Sequence, residues 1–223
     1  MNDNAAISVL SLKQLPLFPL QTVLFPGGWM PLRIFEVRYL DLIKRCHQTG
    51  APFGVVCLSE GSEVRRVDPS APGGMAHEAF FDAGTVAHIE QVTHPQPGLM
   101  FIHCKGRQRF HITGRERLTH GLWVADVTLT ENDPFVPVPK HLIPTRDALQ
   151  RLLLNLQERE PHDMNELPLQ PPYEWNNCGW VANRWTELLP APAEIKHRLM
   201  TLDNPLLRLE LVSDLLDQLG VER

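Results

Sequence analysis

Twenty prolines in 223 residues restrict this chain more than any other feature. Each one fixes φ, removes a backbone donor and pushes the residue before it toward extended conformations. They are clustered. Pro16, Pro19, Pro26 and Pro31 punctuate an apolar opening. Pro69 and Pro72 fall in a small-residue stretch, Asp68 to Gly74, that reads as an exposed loop. Pro95 and Pro97 precede Gly98 and read as a hairpin turn, while Pro134, Pro137, Pro139 and Pro144 form a stiff connector. The texture of the sequence changes across that connector. It divides the chain into residues 1–133, a connector at 134–144 and residues 145–223.

Before the connector the pattern is mostly β. Residues 54–58, 83–92, 99–104, 109–113 and 122–129 are short runs rich in β-branched and aromatic residues. Met100, Ile102 and Cys104 alternate with Phe101, His103 and Lys105, so the two sets fall on opposite faces of a strand. One helix interrupts the strands, from about Glu36 to Gln48, stopped by Gly50 in C-cap position. Short strands spaced by turns predict a small closed or half-closed barrel, because closure removes exposed edges. After the connector the period becomes helical. Thr145 is the expected N-cap for Leu149, Leu152, Leu153 and Leu156, and Cys178, Val181, Ala182, Trp185 and Leu189 make a second stripe. Ile195, Leu199 and Leu202 make a third. A last helix is expected to start at Asn204 with Pro205 at N1 and to bury Leu209, Val212, Leu216 and Leu219. The fold class is therefore α+β, a barrel of about six strands with one intruding helix, followed by a small helical bundle.

Composition narrows the setting. The hydrophobic share of 43% and charged share of 21% are those of a folded chain. A formal charge of −5 gives no electrostatic reason to expect nucleic acid or anionic lipid. No apolar run is long enough to cross a bilayer, and Met1 to Ala6 lacks the basic start of a signal peptide. Cys46, Cys57, Cys104 and Cys178 are scattered, with no C-x-x-C pair, and read as free buried thiols. Together these features predict a cytoplasmic protein.

Catalytic motifs are missing. The phosphate-cradling G-x-x-x-x-G-K-[ST] loop does not occur, nor do G-x-S-x-G, G-x-G-x-x-G or H-E-x-x-H. His88, His94, His103 and His111 lie on successive expected strands without the tight spacing of metal ligands, so no metal and no cofactor are expected. Arg33, Glu36, Arg38 and Tyr39 sit where a strand passes into a helix. They read as an Arg–Glu lock that fixes how the helix leaves the sheet, with a recognition patch as the alternative. Trp29 and Met30, between Gly27-Gly28 and Pro31, form a large apolar pair on an expected loop. Such a pair is either a plug for the core or a contact for a partner. Phe80 and Phe81 pose the same choice. These four are the candidate protein-binding residues.

The opening block also carries a resemblance. Leu15-Pro-Leu-Phe-Pro-Leu20, Val23-Leu-Phe-Pro-Gly27 and Pro31-Leu-Arg-Ile-Phe-Glu36 with Arg38-Tyr39 resemble the entry signature of the LON substrate-binding domain, the N-terminal region of ATP-dependent Lon proteases. Phe53-Gly54-Val55, Gly84-Thr85-Val86-Ala87 with Ile89, and Gly106 with Arg109-Phe110 follow in order, so the resemblance spans about residues 13 to 215. It implies a PUA-like pseudo-barrel followed by a helical subdomain. It also implies recognition of unfolded or damaged polypeptides, or of a protease or chaperone partner. Pro19, Pro26, Gly27, Arg33, Glu36, Arg38, Tyr39, Arg109 and Phe110 are its signature positions, read as structural. Val37 departs from the family, which often has proline there. The ATPase and serine–lysine protease modules have no counterpart, so the chain is expected not to be an enzyme. Two other classes stay open. One is a cryptic hydrolase using an unrecognised Cys, His or Ser. The other is RNA binding through Arg107, Arg109, Arg115 and Arg117, a run that Glu116 interrupts.

Overall fold

The computed structural model describes residues 10–63, 77–159 and 169–221; the loop expected at 68–74 lies outside them. Six strands run β1 (Ser11–Leu20), β2 (Trp29–Ile34), β3 (Phe53–Glu60), β4 (Ala79–Gln96), β5 (Leu99–Arg117) and β6 (Trp123–Leu129). Their order is β2-β5-β4-β3-β1-β6, and β6 pairs back onto β5. Five strands thus close into a ring, with β2 attached outside it. The expected α+β pseudo-barrel is what forms.

The closure depends on the length of β5. Its first half pairs with β2, Trp29 to Ile34 lying opposite Lys105 to Met100, while its second half pairs with β6 from Phe110 to Arg117. The runs at 99–104 and 109–113, expected as two strands, are therefore one. The register of β5 on β4 shifts between the Thr85–Arg109 and Ala87–Gly106 pairs, which lets the strand bend without ending. Gln96 pairs with Leu99 across a two-residue turn at Pro97-Gly98, where Gly98 has φ 78°, as the proline–glycine pattern predicts.

Pro26 and Gly27 have a specific task. Gly28 N–H donates to Phe25 O at 2.9 Å, and Gly27 has φ 72°, so Phe25 to Gly28 form a tight turn with proline second and glycine third. Gly27 N–H donates to Gly106 O, and Gly106 N–H donates to Gly28 O, both at 2.9 Å. This glycine bulge feeds the turn directly into β2. A Cβ on Gly106 would collide with the Phe25 carbonyl.

Helix α1 (Val37–Thr49) enters the barrel mouth and buries Tyr39, Leu42, Ile43 and Cys46 in the core, then ends at Gly50 with φ 69°. The Arg–Glu lock at its start is built with Arg38 and leaves Arg33 out. Glu36 pairs with Arg38 at 3.2 Å, and Arg38 donates to Gly121 O at 2.7 Å; Arg33 is exposed. Strand alternation explains this: Arg33 precedes buried Ile34 on β2 and must face outward. Tyr39 stacks on Phe18 with centroids 4.0 Å apart, and burial raises its hydroxyl pKa.

The helical part comprises α2 (Ile143–Arg159), α3 (Cys178–Leu188), α4 (Ala193–Met200) and α5 (Pro205–Gln218). Asn204 caps α5 by accepting from Leu206 and Leu207 N–H at 3.1 Å, with Pro205 next to it, as expected. Two expectations fail here. Thr145 is no cap, because a 3-10 turn at Lys140–Leu142 starts the spiral earlier; its buried hydroxyl shares a hydrogen bond of 3.1 Å with Ser213. Leu219 is 50% exposed instead of buried, since α5 has ended before it.

Barrel and helices are joined by charge and by packing. Asp133 accepts from Arg109 on β5 at 3.1 Å and from Arg208 on α5 at 2.5 and 3.2 Å. Arg208 also reaches Asn183 on α3 at 2.9 Å, and Arg109 donates to Met200 O at 3.0 Å. Met200 packs with Val23, Phe25 and Cys57 of the barrel side. Both arginine side chains are at least nine-tenths buried; Arg109 keeps a second pair with Asp203 at 3.1 Å, so removing Asp133 leaves the Arg208 guanidinium desolvated without a counter-charge. Asp133→Ala is expected to cost about 3–5 kcal/mol in urea unfolding, while breaking the exposed Lys13–Asp126 pair is expected to leave the urea midpoint nearly unchanged.

Candidate functional site

A groove of about 910 Å³ runs along the boundary between barrel and helices. One wall is β2 with the facing part of β5: Trp29 to Arg33, then Phe101, Ile102 and His103. The floor comes from Thr22, Val23 and Leu24, and the far wall from Glu187 and Leu188 at the end of α3 with Lys196 of α4. Most of these side chains are apolar, and Phe101 is 41% exposed. A smaller hollow of about 360 Å³ continues it along β2 toward Phe18 and Leu20 of β1, sharing Thr22 and Met30 to Arg33. Another hollow, about 550 Å³, lies between α1 and the β4–β5 turn, but prolines and the polar Asp41, Lys44 and His94 frame it.

The groove's deep corner is ionic. Arg184 donates to Glu187 at 2.9 Å and to Pro26 O at 2.9 Å, so α3 holds the turn that precedes β2. Gly28 lies so close to the Glu187 carboxylate that a Cβ there would collide with it. Lys196 donates to Glu187 O at 2.9 Å. Burial pushes the Glu187 carboxyl up to about 7, against the pull of Arg184 and Lys196.

The four candidate contacts part company. Trp29 is half-buried on the groove wall, with the Lys105 ammonium 5.9 Å from its ring centroid. Met30 faces the barrel core at 9% exposure, although it borders the groove. Phe80 is core, set edge-on to Trp123 at 5.3 Å. Phe81 is half-buried and stacks on His197 at 4.2 Å, at the joint between β4 and α4 and outside the groove. Both pairs sit on strands, where neighbours point to opposite faces, so neither pair acts as a unit. Leu188, Phe101, Thr22 and Lys196 were missed. Phe101 carried a signal, since an aromatic side chain on the polar face of an alternating strand has no core to enter.

The signature residues are structural supports of this region. Pro19 and Phe110 are buried, Pro26 and Gly27 make the turn, Arg38 and Tyr39 anchor α1, and Arg109 joins the halves. Only Arg33 lines the groove with an exposed charge. The basic run is neutralised locally: Arg107 pairs with Glu90 at 3.1 Å, Arg115 with Asp82 at 3.0 Å and Arg117 with Glu78 at 3.7 Å. Among the described residues no group of three or more His, Cys, Asp or Glu is placed to hold a metal ion, and no helix is long and apolar enough to cross a membrane.

A small pseudo-barrel with a helical annex and a groove at their joint defines a binding architecture. The sequence matches the profile of the ATP-dependent protease La (LON) substrate-binding domain over residues 14–218, and the chain belongs to that family. It is similar to the crystal structure of a Lon N-terminal domain protein from Xanthomonas campestris, with 27% identity and a TM-score of 0.65, covering 96% of this chain and 100% of that one. The N-terminal domain of Mycobacterium avium complex Lon protease shares the fold at 18% identity and a TM-score of 0.52, covering 91% and 97% of the two chains. No curated protein sequence matches the chain.

The raised Glu187 carboxyl makes stability depend on pH. The folded state binds this proton more tightly than the unfolded chain does. Its contribution is therefore complete below pH 4.5 and lost as the pH climbs through about 7. Urea midpoints are expected to fall across that window, and Glu187→Gln is expected to flatten the fall.

Proposed function

We propose that the chain is a non-catalytic module that binds unfolded or damaged polypeptides in the groove between β2 and the α3–α4 corner. One observation carries this reading. The groove is mostly apolar, and half-buried Trp29, exposed Phe101 and half-buried Leu188 line it at the joint of barrel and helices. Apolar grooves with a few polar groups at the rim suit extended apolar segments. Membership in a substrate-binding family and likeness to Lon N-terminal domains support the same reading. The partner is a substrate polypeptide, or a protease or chaperone that receives it.

Buried thiols argue against hydrolase chemistry. Burial raises all four cysteines, Cys57 to about 11 and Cys104 to about 12, which leaves them protonated and poor nucleophiles at neutral pH. Free buried cysteines also fit a reducing cytoplasm. The paired arginines of β5 leave no free basic stripe for RNA.

Fluorescence anisotropy with labelled, reduced and carboxymethylated casein tests the groove. Phe101→Ser is expected to weaken binding by roughly tenfold while the melting temperature stays near that of the parent. Leu188 also packs against the helical core, so Leu188→Ser is expected to weaken binding comparably with a lower melting temperature. Phe80→Ser, by contrast, is expected to cost about 3–5 kcal/mol of stability, as for loss of a core aromatic. Unchanged casein binding by both groove variants would refute the assignment. The parent protein is expected neither to cleave casein nor to hydrolyse ATP.

A further inference from the structure

Strand β2 pairs with β5 on one side and, among the described residues, with no strand on the other. Gly106 N–H donates to Gly28 O, so the Gly28 carbonyl faces β5. The two-residue period of an antiparallel ladder then turns the backbone groups of Met30, Leu32 and Ile34 toward β5, and those of Trp29, Pro31 and Arg33 outward. Pro31 fits this register, because its missing N–H falls on the free side. The outer edge therefore offers the N–H groups of Trp29 and Arg33 and the carbonyls of Trp29, Pro31 and Arg33. None of these has a hydrogen-bond partner among the described residues.

This free edge borders the open space. Both hollows share residues 30–33 of β2, and the smaller one separates β2 from the end of β1. There β1 is also half-paired. Its residues Ser11 to Leu17 lie on β6, but Phe18 to Leu20 pair only with β3. The barrel thus has a seam flanked by unpaired backbone, with apolar side chains beneath. An exposed edge of this kind recruits another strand unless something covers it.

Of the charges along the seam, Glu36 pairs with Arg38 and Glu63 accepts from the Gln21 N–H, which leaves Arg33 as the cation to account for. Arg33 is exposed, and no carboxylate of the described residues lies within ion-pair distance of its guanidinium. The other charges of the groove are engaged: Glu187 with Arg184, and Lys196 with the Glu187 carbonyl. A segment lying along β2 meets an apolar floor over most of its length and an uncompensated cation near the Ile34 end.

We propose that the seam binds a polypeptide segment as an added strand on the outer edge of β2, with alternate apolar side chains in the groove and an acidic side chain against Arg33. This rests on the polypeptide-binding reading above and specifies its mode. Six residues of β2 span roughly 20 Å, so the recognised unit is a short extended stretch rather than a folded surface. Main-chain hydrogen bonds supply affinity without naming a sequence, while alternation and the acidic end supply a preference. Segments carrying proline at the amides that face β2 are rejected. In unfolded chains the favoured segments are those that would otherwise form strands.

A fluorescein-labelled peptide with alternating valine and threonine and aspartates at one end tests this, made in both chain directions. Two further versions carry N-methyl groups on one or the other set of alternate amides. In the better-binding direction, methylating the set that faces β2 is expected to weaken binding by roughly tenfold or more, since two or so main-chain hydrogen bonds are lost. Arg33→Glu, an exposed change that leaves the melting temperature unaltered, is expected to weaken the aspartate peptide a few-fold and to favour a lysine-ended counterpart. If both methylated versions bind like the parent, the added-strand mode is overturned, while binding in the groove by side chains alone stands. If carboxymethylated casein binds and no version of the peptide does, the mode is likewise overturned. If neither casein nor peptide binds, the polypeptide-binding reading falls together with it.

Discussion

Asp133 is the carboxylate shared by the two buried arginines that tie barrel to helices, with Asp203 as a second partner of Arg109. It stands just before the proline-rich connector and takes hydrogen bonds from Arg109 of β5 and Arg208 of α5. Both guanidiniums are removed from water, and a buried cation without its counter-charge is among the costlier defects a fold can carry. Arg208 spreads the constraint further, to Asn183 on α3 and the Leu202 carbonyl. The packed patch of Val23, Phe25, Cys57 and Met200 adds apolar contact across the same joint. A groove whose walls come from two parts of the chain keeps its shape only if that joint is rigid.

The second tie has a different consequence. Arg184 and Glu187 grip the Pro26–Gly28 turn, and that turn aims β2 along β5. The same corner therefore sets the position of the free strand edge and forms the back of the groove. Pro26, Gly27 and Gly28 are fixed by geometry: a proline and a left-handed glycine for the turn, and a close approach to the Glu187 carboxylate. The signature positions support the groove more than they line it. Arg33 differs, being both a signature residue and an exposed charge at the seam.

Local chemistry was legible in the sequence. Asn204-Pro205 announced the start of α5 and Gly50 the end of α1, because capping depends only on neighbours. Alternation in Met100, Ile102 and Cys104 identified the buried face of β5. Long-range pairings were not legible. Asp133 and Arg208 are 75 residues apart, and no local pattern links them. Arg33 failed as a member of the Arg–Glu lock, which Arg38 forms instead, because helical spacing was applied to a residue that ends up on a strand. Trp29-Met30 and Phe80-Phe81 failed for the same reason: adjacent aromatic or apolar residues look like a patch until the strand sends them to opposite faces. Of the four, Trp29 and Met30 border the groove, and Met30 turns its side chain into the core. Leu188 and Lys196 could not be found from sequence, since the groove exists only once α3 and α4 pack beside β2.

Unfolded polypeptide lying in the groove along β2 would cover the Trp29 and Arg33 amides and the α3–α4 corner. Amide hydrogen exchange with and without excess carboxymethylated casein tests this placement most directly. Slowed exchange at the Trp29 and Arg33 amides and around Leu188 to Lys196, with the exposed face of α5 unchanged, is the expected result. Protection confined to α5 or to the mouth beside α1, with β2 exchanging as in the free protein, would contradict it.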